Sequence, residues 1–166
     1  MSALKMGKGV ILGDNVRLGK DVVIWNYVVI GDDACIGDGT RIGSFCDIGK
    51  EVVIGRGCII QTHVTISNKC RIGNNVFIGP NTSLLNDKFP YSQFLTPVIV
   101  KDNVIIGGCV TILPNVTVHE NAIIAAGSVV TKDVPSNMVV KGVPARIMMT
   151  RQEYEDKKKA FIESKK

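Results

Sequence analysis

From Val10 the chain repeats every six residues, and that period restricts its fold more than any other feature of the sequence. The hexads read VILGDN, VRLGKD, VVIWNY, VVIGDD and onward to TSLLND, thirteen in succession from Val10 to Asp87, and six more run from Val98 to Asp133. In all nineteen the third position is Leu, Ile or Val, from Leu12 to Val130. The first position takes only Val, Ala, Thr, Cys or Ser, and the fourth is Gly in ten. Alternate residues of a strand face one side, so the first and third positions point into a common core. Glycine at the fourth accepts the backbone angles of a sharp corner that a Cβ opposes. Three hexads then close one triangular coil, and coils stack through parallel backbone hydrogen bonds about 4.8 Å apart. The nineteen hexads predict roughly six coils of a parallel β-solenoid, an all-β fold.

At 166 residues the chain fits one domain. Residues 1–149 are expected to form the solenoid, with an extruded loop at 88–97, and residues 150–166 a C-terminal helix and tail. Thr150 stands three residues before Glu153, the spacing of a capping box, which starts that helix at Thr150 and carries it to about Ser164. Its expected place is over the last coil or along a neighbouring subunit. Residues 1–9 hold no apolar stretch long enough for a leader or a membrane span, and the expected location is cytoplasmic, with no membrane partner. Cys46, Cys58 and Cys70 fall at inward positions, so of the five cysteines these read as small buried thiols. The net charge of +5 is concentrated from Lys141 onward, where eight basic residues face four acidic ones. The body is nearly neutral and poor in aromatics, so no nucleic-acid partner is expected.

An eighteen-residue coil places every third hexad on the same corner. One corner stacks Trp25, Gly43, Gln61, Gly79, Gly107 and Ala125, with His63, Asn81, Cys109 and Gly127 in a column beside them. Low on this corner the residues are large and polar; higher up Gly79, Gly107, Gly108, Ala125 and Ala126 leave backbone amides bare. That wall suits an extended ligand carrying its own amides. Glycines that merely turn the corner explain each position singly. The only long break in the repeat, Lys88 to Pro97, is expected to arch over a groove.

Over about residues 10–147 the pattern resembles the left-handed β-helix of the hexapeptide-repeat acyltransferases, and the hand is implied by that resemblance. The run Ala125-Ala126-Gly127-Ser128-Val129-Val130-Thr131-Lys132-Asp133-Val134-Pro135, followed by Gly142-Val143-Pro144-Ala145-Arg146, is similar to the end of the family's acetyltransferases. The resemblance implies acetyl-CoA as co-substrate, with Gly107, Gly108, Ala125 and Ala126 along the pantetheine. Thr131, Lys132 and Arg146 would lie along its phosphates and adenine, where cationic side chains serve as counter-charges. It also implies a homotrimer with active sites between subunits.

Gly79-Pro80-Asn81 and Asn86-Asp87-Lys88-Phe89-Pro90 resemble the subgroup that N-acetylates amino groups of nucleotide-linked sugars, in which Asn86 would contact the reacting centre. Gln61-Thr62-His63 departs from that subgroup, where a glutamine is followed by asparagines. The expected acceptor-binding residues are Gln61, Asn81, Asp87, Phe89 and Tyr91. Asn86 is expected to orient the reactants and His63 to accept a proton. An unprotonated amine is already nucleophilic, so proximity beside the thioester supplies much of the rate.

Two enzyme rivals and one non-enzyme frame this reading. Many O-acetylating relatives carry a histidine on the extruded loop, and Lys88 to Pro97 has none. The γ-type carbonic anhydrases of this fold need three zinc-binding histidines; this chain has two, His63 and His119, on different corners, and no metal is expected. A non-catalytic trimeric scaffold would have no use for the bare wall or for Lys132 and Arg146.

Overall fold

The computed structural model describes residues 4–92 and 94–165. The chain forms an all-β parallel solenoid of about eight turns that matches the left-handed β-helix, with one short helix at its C-terminal end. The first face stacks Lys5–Met6, Val23–Ile24, Arg41–Ile42, Ile59–Ile60, Phe77–Ile78, Ile105–Ile106 and Ile123–Ile124. The second runs from Ile11–Leu12 to Val129–Val130, and the third from Arg17–Leu18 to Thr117–Val118. Register advances by one coil at each step, Ile59 opposite Phe77 and then Phe77 opposite Ile105, so the break is extruded without disturbing the stack.

The stack is taller than the six coils expected. Leu4 and Met6 continue the inward phase below Val10, and at the top Val139 pairs with Ile123 after the hexads have ended. The first and third positions form the core: Val22, Ile24, Ile48, Ile66, Val104 and Ile112 are 0–1% exposed. Burying each such side chain contributes about 1.5–3 kcal/mol. At the base Leu4, Met6 and Leu12 hold the same positions yet remain 44%, 47% and 38% exposed.

Polar side chains tie the coils together. On the corners a fifth-position amide often donates to an Asn or Asp one coil up: Asp14 N to Asp32 Oδ1 at 3.0 Å, Lys20 N to Asp38 Oδ1 at 2.7 Å, Lys50 N to Asn68 Oδ1 at 2.9 Å. Asn74 donates to Asp102 through both its backbone and its side-chain amide, which holds the Asp102 carboxyl below its ordinary pKa. Inside, Thr40 Oγ1 donates to the Gly55 carbonyl at 2.8 Å and accepts from Cys58 N at 3.1 Å. Thr82 repeats the arrangement with Gly107 O and Val110 N, at 2.9 and 3.3 Å. The thiols of Cys46 and Cys58 likewise donate to the carbonyls of Gln61 and Gly73. All five cysteines are free, Cys46, Cys58 and Cys70 are buried as expected, and burial pushes Cys70 up to about 11.

Beyond the last hexad, Met138–Gly142 and Ala145–Thr150 form an antiparallel hairpin. The helix spans Arg151–Glu163, N-capped by Thr150 with both halves of the capping box made. It rests against this hairpin and buries none of its residues, leaving Phe161 and Ile162 63% and 47% exposed. The hairpin strand, and not the helix, continues the first face above the last coil, because only the strand can pair with Ile123–Ile124.

Candidate active site

The corner joining the first and second faces carries the column expected from spacing. Tyr27 N donates to Lys8 O, Phe45 N to Asn26 O, His63 N to Ser44 O, Asn81 N to Thr62 O, Cys109 N to Pro80 O and Gly127 N to Gly108 O, so these residues lie one above another. Each has positive φ, between +56° and +70°. The glycines here divide into two kinds. A Cβ on Gly79 would stand 2.5 Å from Gly108 N, and one on Gly107 2.5 Å from Ala126 N, so close stacking of coils alone requires them. A Cβ on Gly108 would come no nearer than 3.2 Å, to the Pro80 carbonyl.

Bareness matters most at the fifth position. At the base of this corner the Lys8 amide ends on Asn26 Oδ1 at 2.8 Å, the arrangement common on the other two corners. Above Thr62 the fifth positions are Pro80, Gly108 and Ala126, which carry no such acceptor. The amides of Gly108 and Ala126 find no acceptor among the described residues, and neither residue has a polar side chain to cover the surface beside it. The carbonyl side of the wall is fixed from within, since Thr82 holds Gly107 O and Ser128 Oγ donates to Ala125 O at 2.7 Å.

Lower on the same corner three aromatic rings stack. Tyr27 and Phe45 have centroids 5.3 Å apart and planes inclined by 16°; Phe45 and His63 are 4.9 Å apart at 12°. Eighteen-residue spacing brings 27, 45 and 63 to one column, a signal present in the hexads, but the part played by Tyr27 and Phe45 escapes the period because ring stacking depends on side-chain torsions. Gln61 is half-buried, and its carbonyl accepts from Cys46 Sγ at 3.0 Å. His63 and Asn81 are exposed.

Asn86, Asp87, Phe89, Tyr91, Thr131 and Lys132 belong to the next corner, between the second and third faces. The loop leaves the stack there, closed at its base by Thr96 N donating to Asn86 O at 2.7 Å. Asn86 Nδ2 donates to the Asn68 carbonyl at 3.1 Å, continuing the ladder. Asp87 accepts from Phe89 N and Ser92 N, at 3.1 and 2.9 Å, and so folds the loop's first turn. Phe89, Tyr91 and Phe94 project, 75%, 104% and 85% exposed. Within one chain, therefore, Asn86 and His63 are not brought together; the second face separates them.

Between the loop and the upper coils lies a cleft of about 670 Å³ lined by Leu85, Asp87, Lys88, Leu113, Pro114 and Thr131 to Asp133. A second cleft, of about 470 Å³, lies between Lys132 and the hairpin residue Arg146. Lys132 borders both, so two of the expected phosphate contacts converge. His119 is half-buried on the remaining corner. Among the described residues no helix is long and apolar enough to cross a membrane.

Residues 33–68 and 97–132 match the bacterial transferase hexapeptide (six repeats) family, and residues 9–44 match the hexapeptide repeat of succinyl-transferase. Together the matches cover more than half of the chain. The chain belongs to the hexapeptide-repeat transferase family. Over 67 residues, 40% of its length, it is 45% identical to the 2,3,4,5-tetrahydropyridine-2,6-dicarboxylate N-acetyltransferase of Staphylococcus aureus (strain JH9). The match spans only 28% of that relative's length. In fold this hexapeptide-repeat chain is similar to the acetyltransferase domain of PglB from Neisseria gonorrhoeae FA1090, solved in complex with acetyl coenzyme A. There the TM-score is 0.67 at 23% identity, over 76% of this chain and 57% of that one. It is also similar to a point mutant of AntD, an N-acyltransferase from Bacillus cereus, solved with dTDP-4-amino-4,6-dideoxyglucose and coenzyme A. That TM-score is 0.62 at 23% identity, over 96% and 91% of the two chains.

Proposed function

We propose that the protein is an acetyl-CoA-dependent N-acetyltransferase that acts on the amino group of a nucleotide-linked amino sugar, as a homotrimer with its sites between subunits. The observation that carries the reading is the pair of amides without an acceptor among the described residues, Gly108 and Ala126, on the upper part of a corner whose fifth positions there carry no polar side chain. Pantetheine is an extended chain with two amides of its own, and such a wall offers it hydrogen bonds without steric cost. Lys132 and Arg146 supply positive charge for the CoA phosphates beside the two upper clefts. Supporting the acceptor class are the names of a fold neighbour solved with a nucleotide-linked amino sugar and of a partial relative that is an N-acetyltransferase.

Each corner by itself is half a site: one has the bare wall with Gln61, His63 and Asn81, the other the loop with Asn86, Phe89 and Tyr91. A trimer that sets the loop corner of one subunit against the bare corner of the next completes both. The acceptor amine then attacks the thioester carbonyl, its proton passes to His63, and the carbon–sulfur bond breaks. The departing thiolate takes that proton, so an amide and free CoA thiol result. Asn86 enters as the base of the loop, holding Phe89 and Tyr91 where a sugar or base ring would meet them.

Thiol release from acetyl-CoA, measured against a panel of 3-amino and 4-amino nucleotide sugars and simple hydroxyl acceptors, tests the reading. Turnover on an amino sugar alone is expected. Turnover on hydroxyl acceptors alone makes the protein an O-acetyltransferase, and absence of CoA binding makes it a scaffold.

A further inference from the structure

Three consecutive coils place an aromatic or imidazole ring at a backbone position that elsewhere takes other residues. On the other two corners the residues with positive φ are Asn, Asp, Gly, Glu or Lys; on this corner they include Tyr27, Phe45 and His63, with φ of 58°, 61° and 57°. The left-handed region is unfavourable for bulky side chains, and residues kept there against preference gather at functional sites. The column has a floor, because a Cβ on Gly9 would lie 2.6 Å from Tyr27 Cδ1. It has a top, the imidazole, one coil below Asn81 and two below Cys109. The His63 ring makes no hydrogen bond to any described residue, so its plane is set by the Phe45 face at 4.9 Å and 12°. Stacking occupies the lower face of the imidazole and leaves its nitrogen-bearing edge free.

We infer that Phe45, seated on Tyr27, is a positioning residue that holds the His63 imidazole with its nitrogens directed to the reacting amine beside the bare wall. The inference rests on the acetyltransferase reading and adds the element that orients its base. In most enzymes a carboxylate or carbonyl bonded to the far nitrogen does this work; here a ring face does it, fixing the plane and leaving both nitrogens available. The transferred proton leaves the acceptor nitrogen as the amide bond forms, resides on the imidazole, and returns to the CoA sulfur as its bond to carbon breaks.

The test uses Phe45→Asn, Phe45→Leu and Phe45→Tyr in the full chain. A purely structural role lets Phe45→Asn change stability, lost ring stacking being set against the better tolerance of positive φ by Asn, but leaves kcat and its pH profile unchanged in the folded protein. A positioning role lowers kcat on the order of tenfold to a hundredfold in the Asn and Leu variants, with KM for acetyl-CoA unchanged and Phe45→Tyr active. His63→Ala added to Phe45→Asn then costs little more, and the limb of the kcat pH profile that His63→Ala abolishes is shifted or flattened in Phe45→Asn. Folded Asn and Leu variants with wild-type kcat and pH profile overturn the inference, as do losses that multiply independently of His63. Wild-type protein that binds no acetyl-CoA overturns the acetyltransferase reading and this inference with it, whereas with an active wild type the variants bear on Phe45 alone.

Discussion

Replacing Ala126 by proline separates the ligand-binding use of the wall from its structural use. The Ala126 amide has no acceptor among the described residues, so removing it breaks no internal hydrogen bond. Proline already occupies the equivalent position at Pro80 on the same corner and at Pro114 on another, the latter preceded by Leu113, so a side chain before the ring is tolerated. The folded state should lose nothing, and restriction of the unfolded chain adds about 0.4–1 kcal/mol of stability. If pantetheine takes a hydrogen bond from this amide, its loss costs about 0.5–1.5 kcal/mol. At about 1.4 kcal/mol per decade, the Kd for acetyl-CoA rises roughly two- to tenfold. Titration calorimetry with acetyl-CoA and a thermal melt at fixed protein concentration read the two effects separately. Unchanged affinity in a folded Ala126→Pro protein refutes the bare-amide argument; a collapsed melting temperature shows that the amide serves the fold.

Thr82→Val keeps the volume of a fully buried side chain but strands Gly107 O and Val110 N, and is expected to lower stability by about 1–3 kcal/mol in chemical denaturation. Thr82→Cys should lose much less, since thiols donate to the equivalent carbonyls at Cys46 and Cys58, and equal losses for Val and Cys would contradict the role of the donor. Cys109, exposed beside the wall, should be alkylated well before buried Cys46, Cys58 and Cys70, and acetyl-CoA should protect it; mass mapping that finds no protection argues against ligand on this corner. Thr150→Ala should weaken the helix by about 0.5–2 kcal/mol in amide exchange while the coils keep their protection. The Thr150 backbone amide, and then its hydroxyl, hold the Glu153 carboxyl below its ordinary pKa. Its stabilisation is therefore present above the ordinary glutamate range and lost as pH falls through the lowered value, so helix protection factors, exchange normalised to the intrinsic rate at each pH, should fall in acid before those of the core do.

The coil geometry was legible because a stacking fold puts its requirements on a fixed period. Val22, Ile24 and the inward residues above them had to be small or aliphatic to fit a triangular core, and Thr150 with Glu153 marked the helix start through a local hydrogen-bond pattern. What the period could not mark is where a residue leaves it. Leu4 and Met6 belong to the stack although Gly7 to Gly9 blur the hexads there, and Val139 joins the first face through pairing to a distant strand.

The functional residues obey the opposite logic. In a solenoid the first and third hexad positions are committed to the core, so chemistry is left to the fourth, fifth and sixth positions and to interruptions. Spacing of eighteen shows which corner a residue occupies, and it placed Gln61, His63, Asn81, Gly108 and Ala126 together. It says nothing about partners: Asn86 spends its amide on Asn68 O, Asp87 folds its own loop, and the Gly108 and Ala126 amides stay without an acceptor among the described residues, on residues that have no polar side chain of their own. On the other corners Asn and Asp hold the amides of Asp14, Lys20, Lys50, Arg56 and Asn74, whereas on the His63 corner, among the described residues, only Lys8 is held so. The omission of Asn and Asp begins at Ser44 beside Phe45, continues at Thr62 beside His63, which tops the ring stack, and runs upward through Pro80, Gly108 and Ala126. In the proposed acetyltransferase, the bare amides above and the stacked imidazole below are complementary halves of one demand, holding a thioester still while a proton moves beside it.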